Sequence, residues 1–570
     1  MKKMRLRITY FLVINLFFTL ICFGQETNSK LETTFINVDF AKEKGSMKPI
    51  WAWWGYDEPN YTYMKDGKKL LSEIAELSST PVYVRAHSLM VTDDGPRAAL
   101  KWGSTNMYTE DENGNPIYSW TVIDRIFDTY IERGMKPMAQ IGFMPKALSS
   151  NPEPYRHHWK PGAAYNDIYL GWTYPPKDYK KWAELVYQWV KHSVERYGKE
   201  EVESWYWELW NEPNIGYWRG TTDEYIKLYD YTADAVKRAL PTAIIGGPEV
   251  TGPEWDESKE FFHKFMDHVV NGKNYVTGKV GSPLDFITFH AKGNPRVVNG
   301  VVQMDMGSQL RDIDNGFKIV ASYPTLKDLP IVIGESDPEG CAACSQDDYP
   351  HNAYRNGTMY ASYTAASFAR KYDLADFYGV NLLGAVTWGF EFEDQKWFAG
   401  FRDMATNGVD KPVLNVFRMF GMMRGNRVEV SGDFAYDFKA IRDNSVRGVT
   451  DINALAAKDD KSATVMVWNY HDDNILSDVE ATVEVKLTGL PDGEFLLHHY
   501  RVDETHSNSY TVWLEMGAPQ QLSRQQTSKL EDAGQLKLLS SPKWIKVKNG
   551  EAIVNMKLPR QGVSLLKLAL

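Results

Sequence analysis

Two periodicities divide the chain. From about residue 45 to 420, short runs of consecutive apolar residues alternate with longer stretches in which apolar residues recur every three or four positions, and after about residue 425 the period falls to two. In the first region Leu70, Leu71, Ile74 and Leu77 share one face of a predicted helix, with Asp66 as its expected cap, and a strand-like run follows at 81–86. Trp120, Ile123, Phe127 and Tyr130 make a second helical face, closed by Gly134, before a strand at 136–141. Trp182, Leu185, Val186, Trp189, Val190 and Tyr197 form a long stripe that ends at Gly198 and precedes a strand at 204–210. Helices at about 223–240 and 261–270 lead to strands at 243–245 and 285–290. Short apolar strands at 330–334 and 384–388, with a first one near 50–54, bring the count to about eight. Strands this apolar leave no face for water, so a parallel sheet covered by helices is expected: an α/β fold, specifically a (β/α)8 TIM barrel. No Gly-rich phosphate loop follows the first strand, which argues against a doubly wound open sheet.

Beyond residue 425, Ala481, Val483, Val485 and Leu487 alternate with Thr482, Glu484 and Lys486, the pattern of a half-buried strand. Further short strands are predicted at 464–468, 495–500, 545–547, 552–556 and 563–568, separated by turn residues such as Pro491-Asp492-Gly493 and Asn549-Gly550. The expected organisation is a catalytic barrel over 46–424 and a C-terminal all-β sandwich over 425–570. Residues 25–45 form an N-terminal extension, with a segment near 33–40 as a candidate strand donated to the β-module.

The first 24 residues read differently. Lys2, Lys3, Arg5 and Arg7 precede an apolar run at 8–23, and Gly24 offers a small residue before Gln25. This is the pattern of a secretory signal peptide cleaved near Gly24, which implies a secreted or periplasmic protein; the run is short for a bilayer span. The chain carries a net charge of −10, and loss of these four cations makes it more acidic. Such a surface repels nucleic acid and anionic membranes and is easier to reconcile with a neutral substrate. No later stretch is apolar enough for a membrane span. With Cys22 in the leader, Cys341 and Cys344 remain, and in an exported chain this C-A-A-C is expected to form a local disulfide. A four-thiolate zinc site is excluded by count, and neither a metal nor a cofactor is expected.

The densest chemical signal is Trp205-Tyr206-Trp207-Glu208-Leu209-Trp210-Asn211-Glu212-Pro213-Asn214. It puts Glu212 at the C-terminal end of the fourth strand, the end where such barrels do chemistry, with aromatics expected to raise its pKa. Ile331-Val332-Ile333-Gly334-Glu335 repeats the signal on the seventh strand, so both carboxylates face one mouth. Paired carboxylates across a pocket are the minimum for glycoside hydrolysis: one protonates the leaving oxygen while the other attacks or activates water.

These two contexts together resemble the large clan of retaining barrel glycosidases and, more narrowly, glycoside hydrolase family 39, the β-xylosidases and α-L-iduronidases. Supporting likenesses run along nearly the whole mature chain: Val84-Arg85-Ala86-His87, Gln140-Ile141-Gly142-Phe143-Met144-Pro145, Phe398-Ala399-Gly400-Phe401-Arg402 and His499-Tyr500-Arg501-Val502-Asp503. The resemblance implies Glu212 as acid/base, Glu335 as nucleophile, a carboxylate separation of about 5–5.5 Å and retention of configuration. It also implies that Asn211 bonds the sugar 2-hydroxyl and that Arg85, His87 and Phe143 lie at the mouth. Arg85 is equally a candidate to orient Glu335. Trp388 ends the last strand as a candidate aromatic floor, and Glu391 after it is a candidate hydroxyl ligand.

His290-Ala291-Lys292-Gly293 departs from the xylosidase pattern, in which a tyrosine follows two residues after the histidine; Lys292 instead resembles the iduronidase branch. It is a candidate partner for a sugar carboxylate, for a neutral hydroxyl, or for Glu335. The expected function is an exo-acting retaining β-D-xylosidase acting on oligosaccharides or glycosides. The alternatives are an iduronidase-like or other uronic-acid-reading enzyme and a non-catalytic carbohydrate-binding protein.

Overall fold

A computed structural model describes residues 33–93, 103–155, 168–473, 475 and 480–570. The expected signal segment lies outside the described residues. Nine parallel strands form one nearly closed barrel: β1 (Trp53–Tyr56), β2 (Tyr83–Ala86), β3 (Lys136–Ile141), β4 (Tyr206–Leu209), β5 (Ile244–Thr251), β6 (Phe286–His290), β7 (Ile331–Glu335), β8 (Leu382–Ala385) and β9 (Thr387–Trp388). Each pairs with its neighbour in chain order as far as β8, and β9 pairs with β1. Only Val386 separates β8 from β9, so one passage of chain supplies both, and eight passages close the ring.

The helices wrap this barrel with apolar faces inward. They are α1 (Lys65–Glu76), α2 (Thr121–Ile131), α3 (Tyr179–Tyr197), α4 (Thr222–Ala239), α5 (Asp256–Asn271), α6 (Met306–Ala321), α7 (Thr358–Tyr378) and α8 (Pro412–Met422). Local chemistry fixes several starts. Asp178 accepts the Lys180 and Lys181 N–H groups at the head of α3, and Thr221 with Glu224 forms a capping box on α4. The expected cap of α1 is corrected: Asp66 lies inside the first turn, and the Asp66 and Gly67 N–H groups donate to Glu393, which arrives from the loop after β9. No helix among the described residues is long and apolar enough to cross a membrane.

The C-terminal strands form a mixed sheet of ten. Strand Thr34–Ser46 belongs to it, antiparallel to Asn426–Gly432 and parallel to Ala481–Thr488. Ile36, Val38, Val485 and Val554 from one end of the sheet share a core with Val465, Leu497 and Leu566 from the other. The two layers expected of a sandwich are thus arms of a single curled sheet. Its outer face packs on α7, where Arg370 forms a buried ion pair with Asp451 (3.0 Å).

Candidate active site

The ends of β4 and β5 depart from regular strand. Trp210, Glu212 and Glu249 have φ of 69°, 44° and 59°, a region that non-glycine residues occupy at a cost. The turns on either side of Asn211 bring it and Glu212 to the barrel axis, and the Glu212 N–H donates to the Glu249 carbonyl (3.0 Å), tying the two strand ends together.

A cavity of about 350 Å³ opens above β4–β7. Glu212, Glu335, Lys292, Asp57 and Trp388 line its buried base, and Ile215, Tyr217, Thr251, Trp255, Tyr349 and the Gly340–Cys341 and Cys344 wall line the rest with Tyr169. Lys292 Nζ lies 2.5 Å from Glu212 and 2.8 Å from Glu335, bridging the carboxylates. His290 Nδ1 is 2.8 Å from Glu212 and 3.7 Å from Glu335, while its Nε2 contacts Glu249. One oxygen from each of Glu212 and Glu335 and one His290 nitrogen all lie within 4.8 Å of one another. That donor set could ligate a metal, but the Lys292 ammonium already sits between its two carboxylates.

Arg85 is wholly buried beneath this layer. It donates to Glu208 (2.6 Å), Asn211 (3.1 Å) and Glu249 (3.3 Å) and lies 3.6 Å from Glu335. It therefore holds carboxylates in place and does not reach the cavity. His87 links Asp57 (2.9 Å) to the Asn211 Oδ1 atom (2.9 Å), which leaves Asn211 Nδ2 as a donor with no partner among the described residues. Phe143 is buried among Trp172, Trp210 and Tyr217, one layer behind the cavity wall. Glu391 is buried off the cavity lining, and one oxygen of its carboxylate accepts the Gly408 N–H.

The electrostatics correct one expectation. Burial alone would push the Glu212 carboxyl up, as the aromatic surroundings suggested, but the Lys292 ammonium and the hydrogen bonds from His290 and Lys292 hold it well below the usual carboxylate range. Burial would likewise lower the His290 and Lys292 pKa values; the facing carboxylates reverse this and raise both. The ion pair that the sequence brings from β6 dominates over desolvation. Three members of the cluster, Glu208, Glu249 and Asp57, were not singled out in the sequence.

The model for glycosyl hydrolases family 39 matches residues 34–545. The chain belongs to glycosyl hydrolase family 39. Within family 39 it is 26% identical over 534 residues to a β-xylosidase of Caldicellulosiruptor saccharolyticus, covering 90% of this chain and 94% of that one. It is 25% identical over 369 residues to the mouse (Mus musculus) α-L-iduronidase, covering 60% of this chain and 54% of that protein. A monomeric β-xylosidase of Caulobacter crescentus superposes with a TM-score of 0.71 at 23% identity, covering 94% of this chain and 99% of that one, which supports the fold. A family 39 hydrolase acts on carbohydrate, and the cavity of this one offers two carboxylates, one fixed cation and an aromatic wall.

Proposed function

We propose that this family 39 hydrolase is an exported, exo-acting retaining β-D-xylosidase, in which Glu212 is the acid/base and Glu335 the nucleophile. The observation that carries the reading is the pair of carboxylates within 4.8 Å at the buried base of one cavity. That spacing suits direct attack on the sugar and leaves no room for a water between carboxylate and anomeric carbon, as inversion would require. Glu335 attacks C1 while Glu212 gives its proton to the glycosidic oxygen; the C1–O bond breaks and a glycosyl ester of Glu335 forms. Glu212, now a carboxylate, takes a proton from water as that water attacks C1, and the ester bond breaks to release the sugar with its configuration retained. Asn211 Nδ2, without a partner among the described residues, serves the 2-hydroxyl. Because Lys292 keeps Glu212 ionised, the first step requires the ammonium to give up Glu212 as the sugar enters, which lets the carboxyl take up a proton.

A second reading rests on Lys292 itself. An ammonium in the cavity is a ready partner for a uronic-acid carboxylate, and the mouse relative is an α-L-iduronidase. The xylosidase reading is preferred because both of the lysine's close partners are the enzyme's own carboxylates. The test is release of an aryl alcohol from an aryl β-D-xyloside. Wild type is expected to release it, and Glu335→Ala to lose roughly 10³-fold or more of kcat. No release from the xyloside, with release from an aryl uronide that Lys292→Met abolishes, would replace this reading by the second.

A further inference from the structure

The base of the cavity is accounted for by one sugar ring and two carboxylates; its mouth is not. Among the exposed large hydrophobic residues described, only Trp255 and Tyr349 also line this cavity, and Trp255 is 53% exposed. Exposing an indole to water gains nothing for folding, yet its position is built with care.

Gly252 turns with φ of 63°, and a Cβ there would lie 2.7, 2.8 and 2.9 Å from Cδ2, Cε3 and Cε2 of Trp255. Near-equal distances to three ring atoms mean that the glycine lies under a face of the indole. One face of the ring is thus seated on backbone while the ring remains open to the cavity mouth. Any other residue at 252 would displace it. The Trp255 N–H closes the turn on the Gly252 carbonyl (2.9 Å), and Asp312 on α6 accepts the next-door Glu254 N–H (3.1 Å) and the Lys292 N–H (3.4 Å). The indole N–H itself makes no hydrogen bond among the described residues.

The turn is also joined to the segment that carries Glu212. The Asn214 amide donates to the Thr251 carbonyl (2.9 Å) and the Ser258 hydroxyl (2.8 Å) and accepts the Thr251 N–H (2.9 Å). Asn214 is two residues beyond Glu212, and Ser258 is on the first turn of α5, three residues beyond Trp255. Trp255 and Glu212 therefore stand on one stitched unit, and both line the cavity. Tyr349 stands on the loop that follows Glu335 instead. An acid that protonates the glycosidic oxygen must lie beside the leaving group, so the side of the mouth held by Glu212 is the side on which the departing unit sits.

The geometry points to Trp255 as the stacking platform that holds the leaving-group pyranose of an oligosaccharide substrate. This rests on the proposed xylosidase reading. The apolar face of a pyranose would lie on the open indole, with the free N–H beside its hydroxyls. Binding energy gained on this remote ring is available to orient the scissile bond, so its loss is expected in kcat/KM for substrates that reach it.

The test compares a disaccharide with a substrate whose leaving group is a single atom. Trp255→Ala is expected to lower kcat/KM for β-1,4-xylobiose about tenfold more than for β-D-xylosyl fluoride, the equivalent of about 1.4 kcal/mol, and Trp255→Phe is expected to recover most of the difference. A structural role for Trp255 would depress both substrates by the same factor. Equal depression, or no change for xylobiose, would overturn the subsite. A wild-type enzyme that turns over neither xyloside would overturn the xylosidase reading, and this inference with it.

Discussion

Two clusters of buried charge lie side by side in this barrel, and they are spent in opposite ways. Behind the loop after β7, Arg355 donates to the carbonyls of Ala342 (3.2 Å), Cys344 (3.0 Å), Gly400 (3.0 Å) and Cys341 (2.7 Å) and to the Glu339 carboxylate. Arg402 donates to the Trp388 carbonyl (2.6 Å) and to both the carbonyl and the carboxylate of Glu339. Most of these donors bind backbone carbonyls, and the result is a loop wall clamped to the end of the barrel. At the base of the cavity, Glu212, Glu335 and Lys292 bond chiefly to one another, while Asn211 Nδ2 and Glu249 Oε1 have no partner among the described residues. Burial and charge density alone do not separate the two clusters. What they face does: the two arginines are spent mainly on backbone carbonyls, whereas the carboxylates and the lysine bond to one another and open onto the cavity.

Substitutions on either side sharpen that contrast. Glu335→Gln is expected to cost roughly 10³-fold or more in kcat while leaving the thermal midpoint no lower than wild type, since it removes one of several crowded buried carboxylates. Steady-state kinetics and calorimetry on one preparation check both halves. Arg355→Met is expected to do the reverse: removing one buried guanidinium from Glu339 and from four carbonyls costs about 3–5 kcal/mol of stability, read as a lower denaturant midpoint, with kcat largely kept in the cold. If Arg355→Met abolished turnover in protein shown to be folded, the division between the clusters would fail.

The disulfide between Cys341 and Cys344 lies at the boundary, in a loop that both clusters touch. Replacing both cysteines by serine is expected to cost about 2 kcal/mol from the short loop it closes. Because Gly340, Cys341 and Cys344 line the cavity, KM should rise more than kcat falls. The smallest effect expected is a shift of pH dependence. Lys292 holds the Glu212 pKa down, and the first step needs the protonated acid, so the basic limb of kcat/KM lies at lower pH with the lysine than without it. Lys292→Met is therefore expected to move that limb upward, and a limb that stays or moves downward would contradict the ion pair's role.

Strand-end glutamates were legible because a carboxylate closing an apolar run stands out, as Glu212 and Glu335 do. Glu249 lies near the end of β5 but was hidden. Gly246-Gly247-Pro248 reads as a turn, so the strand was expected to stop at 245. In the fold the glycine is there for packing: a Cβ on Gly246 would lie 2.4 Å from the Phe286 ring on β6. The parallel barrel was legible because fully apolar strands alternating with amphipathic helices have few other solutions. The capping of α1 by Glu393 and the Arg355 clamp were not legible, since charged residues in loops far apart in sequence look like solvated surface until the chain brings them together. The direction of the Glu212 shift failed for a related reason. Local aromatics were visible, whereas Lys292 reaches Glu212 only through the closure of the barrel.

Glu212 and Glu335, with one oxygen of each within 4.8 Å of the other, are proposed to work by double displacement. The most direct test is proton NMR of the sugar first released from an aryl β-D-xyloside, recorded before the free sugar mutarotates. With double displacement the β-anomer appears first and the α-anomer only later; an α-anomer formed first would mean inversion and would rule double displacement out.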